Sequence, residues 1–181
     1  MVSESVTWLL LAYRVPSEPS RLRATVWRRL KTLGAVYVQN SVAALPADPA
    51  TERALRTLRA EITQMDGGNA QLLRAEALVG GADLVAAYNV ARDEEYTEIA
   101  SRCADFLAEI DTETAKQHFT YGELEENVED LAKLRGWFDK VAARDRLGAR
   151  GREAAEQALT ACGQALEGFA EAVYAADIDA S

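Results

Sequence analysis

Apolar residues change rhythm near residue 80, and that change limits the architectures open to the chain. Before it, runs of strand length alternate with stripes of helical period; after it, only helical stripes remain. Thr7 to Tyr13 (TWLLLAY) is almost continuously apolar and short, as befits a central strand buried on both faces. Pro16, Ser17, Pro19 and Ser20 then mark a turn and a helix start. Leu22, Val26, Leu30 and Leu33 recur at helical spacing, and Gly34 stands where a left-handed cap belongs.

Val36–Gln39 and Val42–Leu45 flank Asn40-Ser41, the pattern of a tight hairpin. Asp48-Pro49 supplies a cap and a first helical turn, and Leu55, Leu58, Ile62 and Met65 form the next stripe. Ala70 to Val79 reads as a fourth strand. The expected order, βαββαβ, is that of a ferredoxin-like domain over residues 1–81, with both helices on one face of an antiparallel sheet. The opposite face then needs cover from a partner or from the rest of the chain.

Three stripes follow in residues 82–181. Tyr96, Ile99, Cys103, Phe106, Leu107 and Ile110 mark the first. The second opens at the capping-box pattern Thr120-x-x-Glu123 and runs through Leu124, Val128, Leu131, Leu134, Phe138 and Val141. The third runs from Ala155 to Val173 and contains Gly163 and Gly168, each costing about 1 kcal/mol relative to Ala unless close packing requires it. Three amphipathic helices with short connections predict an antiparallel three-helix bundle, so the fold class is α+β.

The 181 residues are 49% hydrophobic and 27% charged, enough to bury a core without a metal or disulfide. No apolar run approaches the ~20 residues of a membrane helix, and no basic segment leads into an apolar one as in a secretory signal. Cys103 and Cys162 lie far apart in sequence and form neither a redox pair nor a zinc knuckle. A cytoplasmic protein is expected.

The net charge of −9 conceals an asymmetry. Residues 1–60 carry nine Lys/Arg against four acids, a balance of +5, which leaves −14 for the remainder. Local charge governs attraction to phosphate. At about 100° per residue, Arg21, Arg28 and Lys31 project opposite the leucine stripe of the first helix, with Arg23 and Arg29 at its boundary and Trp27 off it. Arg53 and Arg56 point away from the core of the second helix. Merged, these side chains would neutralise phosphates and give salt-sensitive nucleic-acid binding; the alternative is a solvated face paired with the acidic second half. A second basic group, Arg144, Arg146, Arg150 and Arg152 around Gly148 and Gly151, precedes the last helix, where guanidiniums and backbone N–H groups suit an oxyanion. The alternative there is a charged inter-helix loop.

Catalytic patterns are missing. His118 is the only histidine and has no nucleophile motif around it, no phosphate-binding glycine loop occurs, and a carboxylate dimetal site would need a second histidine. No enzyme activity, metal or cofactor is expected.

The run Trp8-Leu-Leu-Leu-Ala-Tyr-Arg-Val-Pro16, then Pro19-Ser-Arg-Leu-Arg23 and Val26-Trp-Arg-Arg-Leu-Lys-Thr-Leu-Gly-Ala35, resembles the N-terminal region of ChrB, the bacterial chromate-resistance regulator. Gln39-Asn-Ser41 with Leu45-Pro46, Ala91-Arg-Asp-Glu-Glu-Tyr96 and Ala143-Arg-Asp145 extend the likeness through the helical half. Related wording occurs in the phenylacetate-pathway repressors. The resemblance implies a DNA-binding transcriptional regulator, homodimeric, contacting an operator through its N-terminal module and answering to chromate as inducer. Members of that family continue into a second domain, so the chain is expected to be either a stand-alone module or the partner of a separate C-terminal sensor protein, and sensing by these residues alone is not expected. Two rivals are a protein–protein interaction module and a chromate-processing accessory protein. The sheet half is also similar to the nuclease subunit of CRISPR integration complexes, but Tyr13-Arg14 stands where that family places a metal-binding acid, which disfavours nuclease activity.

Overall fold

A computed structural model describes residues 6–18 and 20–179; Pro19, expected in the turn before the first helix, lies outside them. The described residues form β1 (Thr7–Arg14), α1 (Arg21–Leu33), β2 (Val36–Gln39), β3 (Val42–Pro46), α2 (Pro49–Gln64), β4 (Asn69–Glu76), α3 (Gly81–Ala115), α4 (Tyr121–Arg144) and α5 (Gly151–Asp179). The protein is mixed α/β and mostly helical, with one antiparallel sheet of order β2-β3-β1-β4. Two compact units result: residues up to Ala91 together with Arg144–Leu147, and Arg92–Ala143 together with Gly148 onward.

In the first unit, β1 is central and uses both of its faces, which is why its sequence does not alternate. Leu9 and Leu11 pack with Val26 and Leu30 of α1 and Leu55, Leu58 and Ile62 of α2. Each such fully buried side chain contributes roughly 1.5–3 kcal/mol. Trp8 turns the other way and packs with Ala44 and Tyr88. The Trp8 and Tyr88 rings meet edge to face at 6.0 Å, and the Tyr88 hydroxyl donates to the Arg144 carbonyl. Leu84, Val85 and Leu147 complete the cover of this face, so within the unit the chain itself supplies it.

Local signals act as the sequence suggests at several points. Gly34 takes a left-handed conformation (φ 84°), and the Ala35 amide returns to the Leu30 carbonyl at 3.0 Å. Ser41 turns the β2–β3 hairpin at φ 65°. Asp48 caps α2, accepting from the Ala50 and Thr51 amides at 2.9 and 3.1 Å.

Two element bounds differ from expectation. β4 ends at Glu76, opposite Thr7, the first residue of β1; Leu78 and Val79 beyond it are 99% and 93% exposed. The first helix of the second half starts well before Tyr96, at Gly81, and its early stripe of Leu84, Val85 and Tyr88 covers the sheet.

In the second unit the remainder of α3, with α4 and α5, shares one core that includes Tyr96, Ile99, Leu131, Phe138 and Phe169. Tyr96 meets Phe138, and the Asn127 side-chain amide donates to Glu113 at 2.9 Å, so α4 runs against α3. Tyr121 meets Tyr174, so α4 also runs against α5. A Cβ at Gly163 would stand 2.8 Å from the end of the Arg135 side chain, whereas at Gly168 it would meet nothing within 4 Å. Nothing in the structure explains Gly168.

Candidate nucleic-acid interface

The basic residues of α1 sort by angle around the helix. Val26 and Leu30 are buried, and Leu22 and Leu33 half-buried, on the sheet side. Arg21, Arg28 and Lys31 face outward and are exposed; Arg23 and Trp27 occupy one flank and Arg29 the other. Trp27 is 49% exposed, and the Lys31 ammonium sits 5.2 Å from its ring centroid, a cation–π contact inside a cationic arc. The Arg28 Nε donates to the Ala24 carbonyl at 3.3 Å, which lays its stem along the helix.

The two helix starts differ electrostatically. α2 has Asp48 as cap and Glu52 in its first turn. α1 has no acid in its first turn, and the Ser20 side chain makes no cap bond. Its positive end therefore lies beside Arg21 and Arg23 without an intrahelical anion. Among the described residues, Arg21, Arg23, Arg28, Lys31 and Arg53 have no carboxylate within ion-pair distance.

Arg29 and Arg56, from the same expected set, are engaged. Arg29 pairs with Glu61 across the α1–α2 seam. Arg56 holds Glu52 through two hydrogen bonds, from Nε at 2.9 Å and Nη2 at 2.6 Å, and Arg74 of β4 takes the other carboxylate oxygen at 2.6 Å. The Arg56 hydrogen bond holds the Glu52 carboxyl below the ordinary glutamate value against the opposing effect of desolvation, with Arg74 adding to it. Arg56 thus lies on the flank of α2 opposite the one that faces α1. Sequence reading missed Arg59 and Arg74 as neighbours of this cluster; Arg59 sits one helical turn from Arg56, which was a usable signal.

The second basic group is distributed between the units: Arg144 and Arg146 belong to the first, Arg150 and Arg152 to the second. Arg146 Nε lies 3.6 Å from Asp48. Burial raises the Asp48 carboxyl, but hydrogen bonds from Thr51 and Ala50, with the charge of Arg146, outweigh it and leave the group below its ordinary value. At the start of α5 the Gly151 amide donates to Asp93 Oδ1 at 2.7 Å, so a carboxylate of the protein already occupies that amide.

Other reactive groups sit apart from the cationic arc. His118 is exposed, 3.4 Å from Glu123. Cys103 and Cys162, distant in sequence, meet in the core of the second unit, the Cys162 thiol donating to the Cys103 carbonyl at 3.5 Å. Burial raises both thiols, Cys162 to about 12. Among the described residues no group of three or more His, Cys, Asp or Glu is placed to hold a metal, and no helix is long and apolar enough to cross a membrane.

These features define a mostly helical mixed α/β protein that presents an exposed cationic helix face. Residues 23–180 match the family model described as Protein ChrB, N-terminal, and the chain belongs to that family, which is tied to chromate resistance. Among curated proteins and solved structures nothing matches.

Proposed function

We propose that the chain is a non-enzymatic, DNA-binding regulatory module of chromate resistance, acting in the cytoplasm as a homodimer. In this reading the sheet unit is the basic ferredoxin-like domain expected over residues 1–81, and the second unit is the acidic antiparallel three-helix bundle expected over residues 82–181. The sheet order β2-β3-β1-β4, with α1 and α2 both packed on the Leu9 and Leu11 face, supports the ferredoxin-like reading. The observation that carries the function is the exposed arc of Arg21, Arg23, Arg28 and Lys31 around Trp27, next to a helix start with no acid of its own. Those groups contact operator phosphates, Trp27 packs on sugar, and Arg53 assists; Arg29 and Arg56 take part only when their glutamates release them. Chromate acts as inducer, with Arg144 and Arg146 of the first unit and Arg150 and Arg152 of the second as candidate oxyanion contacts.

Anisotropy titrations of the adjacent operator between 50 and 200 mM salt test this. Arg23→Ala with Arg28→Ala should flatten the log–log salt slope by about 1.8, at ~0.9 per phosphate contact. Salt-independent or absent DNA binding by the wild-type chain would overturn the assignment.

A further inference from the structure

The two edges of the sheet are guarded differently. β2 offers only four residues and carries a register shift between Tyr37 and Gln39, features that discourage pairing with another strand. β4 is eight residues long and pairs in unbroken register with β1 from Asn69 to Glu76. Its outer edge bonds to no other backbone segment among the described residues. Beside it, between β4 and α2, runs a groove of about 530 Å³ whose polar lining is Glu52, Arg56, Arg59, Gln71 and Arg74.

Three guanidiniums face one carboxylate there. Glu52 holds Arg56 and Arg74, one on each oxygen, and Arg59 is anchored by its Nε on the Ala70 carbonyl at 3.2 Å. The groove therefore keeps an excess of positive charge directly alongside an open strand edge.

From these observations we infer that the β4 edge and its Arg56, Arg59 and Arg74 groove dock an extended acidic segment of a partner protein, which adds to the sheet as a fifth strand. An open edge presents N–H donors and C=O acceptors alternately, and only another peptide backbone answers both; a polyanion such as DNA, all acceptor, leaves the carbonyls unpaired. Period-two geometry also fixes the ligand's pattern. Arg74 and Leu72 stand opposite Leu9 and Leu11, on the helix-covered face, whereas Leu73 stands opposite Leu10, on the other face, and is 49% exposed. An incoming strand therefore places acidic side chains over the groove at alternate positions and apolar ones beside Leu73 between them.

The test is selection of a random decapeptide display library on the immobilised full-length chain, with an Arg59→Glu/Arg74→Glu variant in parallel. Enrichment of alternating acidic and apolar sequences is expected, with a loss of at least tenfold in affinity on the variant and recovery when the acids of the peptide are exchanged for lysine. That recovery shows the variant is folded. Bound peptide should slow amide exchange in Asn69–Glu76. The inference fails if no sequence is enriched, if enriched peptides bind the variant equally, if protection appears elsewhere, or if inorganic phosphate or duplex DNA at equal concentration displaces the peptide. In that event the arginines serve only to repel edge-to-edge pairing.

Discussion

If the cationic face of α1 binds DNA as proposed, Glu61 decides whether Arg29 is available to it. The carboxylate pairs with the guanidinium across the α1–α2 seam, where both side chains are about two-fifths exposed. Glu61→Gln removes that anion while keeping the shape of the side chain, so Arg29 becomes a fifth cation beside Arg21, Arg23, Arg28 and Lys31. If Arg29 then contacts one phosphate, the salt slope steepens by about 0.9 per protomer. Over a fourfold change in salt, one added contact multiplies the loss of affinity by about 3.5. The folding cost is small, because an exposed pair contributes about 0–1 kcal/mol. Anisotropy with a labelled operator duplex at 50, 100 and 200 mM salt gives the slope, and urea melts give the stability. A Glu61→Gln/Arg29→Ala variant should return the slope to that of the wild type. A wild-type slope for Glu61→Gln, together with a flattened one for Arg23→Ala/Arg28→Ala, would show that Arg29 lies outside the interface and that the flank facing α2 does not meet DNA.

Asp48→Ala should cost about 1 kcal/mol in urea melts at neutral pH through loss of the α2 cap. The folded carboxyl lies below its unfolded value, so its contribution is present above the unfolded value, about pH 4, and is lost as pH falls through the folded one; the difference between variant and wild type should shrink with acidification. Gly168→Ala should stabilise by up to about 1 kcal/mol, since the site is helical and a Cβ there has open space; a lower melting temperature would contradict the packing. Arg92 is 4% exposed and bonds Glu95 at 2.7 Å, so Arg92→Ala should cost about 3–5 kcal/mol, whereas Arg102→Ala, removing an exposed partner 3.9 Å from Glu98, should stay within about 1 kcal/mol.

Much of the fold was legible because its signals are local. The unbroken apolar run of β1, Gly34 after α1, Asp48-Pro49 before α2 and Thr120 before α4 each act through their own neighbours, and each appears in the structure where its residue type requires. The Thr120 hydroxyl, for instance, accepts from the Glu123 amide at 3.2 Å. The failures arise where an element's limit is set by a distant partner. Leu78 and Val79 have the composition of a strand, but the pairing of β4 with β1 ends at Glu76. The stripe of α3 runs continuously through 84, 88, 92, 96 and 99, yet position 92 is an arginine. In the structure that arginine is buried on Glu95 and the helix passes through it.

The cationic face shows the same division at the level of single side chains. Helical angle alone separates Arg21, Arg28 and Lys31 from the leucines of α1, so their exposure was readable. Angle also places Arg29 toward one flank, but its engagement depends on Glu61, 32 positions away on another helix, and that of Arg56 is shared with Arg74 on a strand. A count of basic residues treats all seven of Arg21, Arg23, Arg28, Arg29, Lys31, Arg53 and Arg56 alike, whereas a phosphate competes only with whatever carboxylate each already holds. For Arg29 and Arg56, binding must first break a charge-assisted hydrogen bond. For Arg21, Arg23 and Lys31 it displaces water and counterions, the exchange that makes phosphate binding favourable and salt-dependent. On the proposed reading, the face open to a polyanion is therefore set less by the number of its arginines than by the places where α1 lacks an acid of its own.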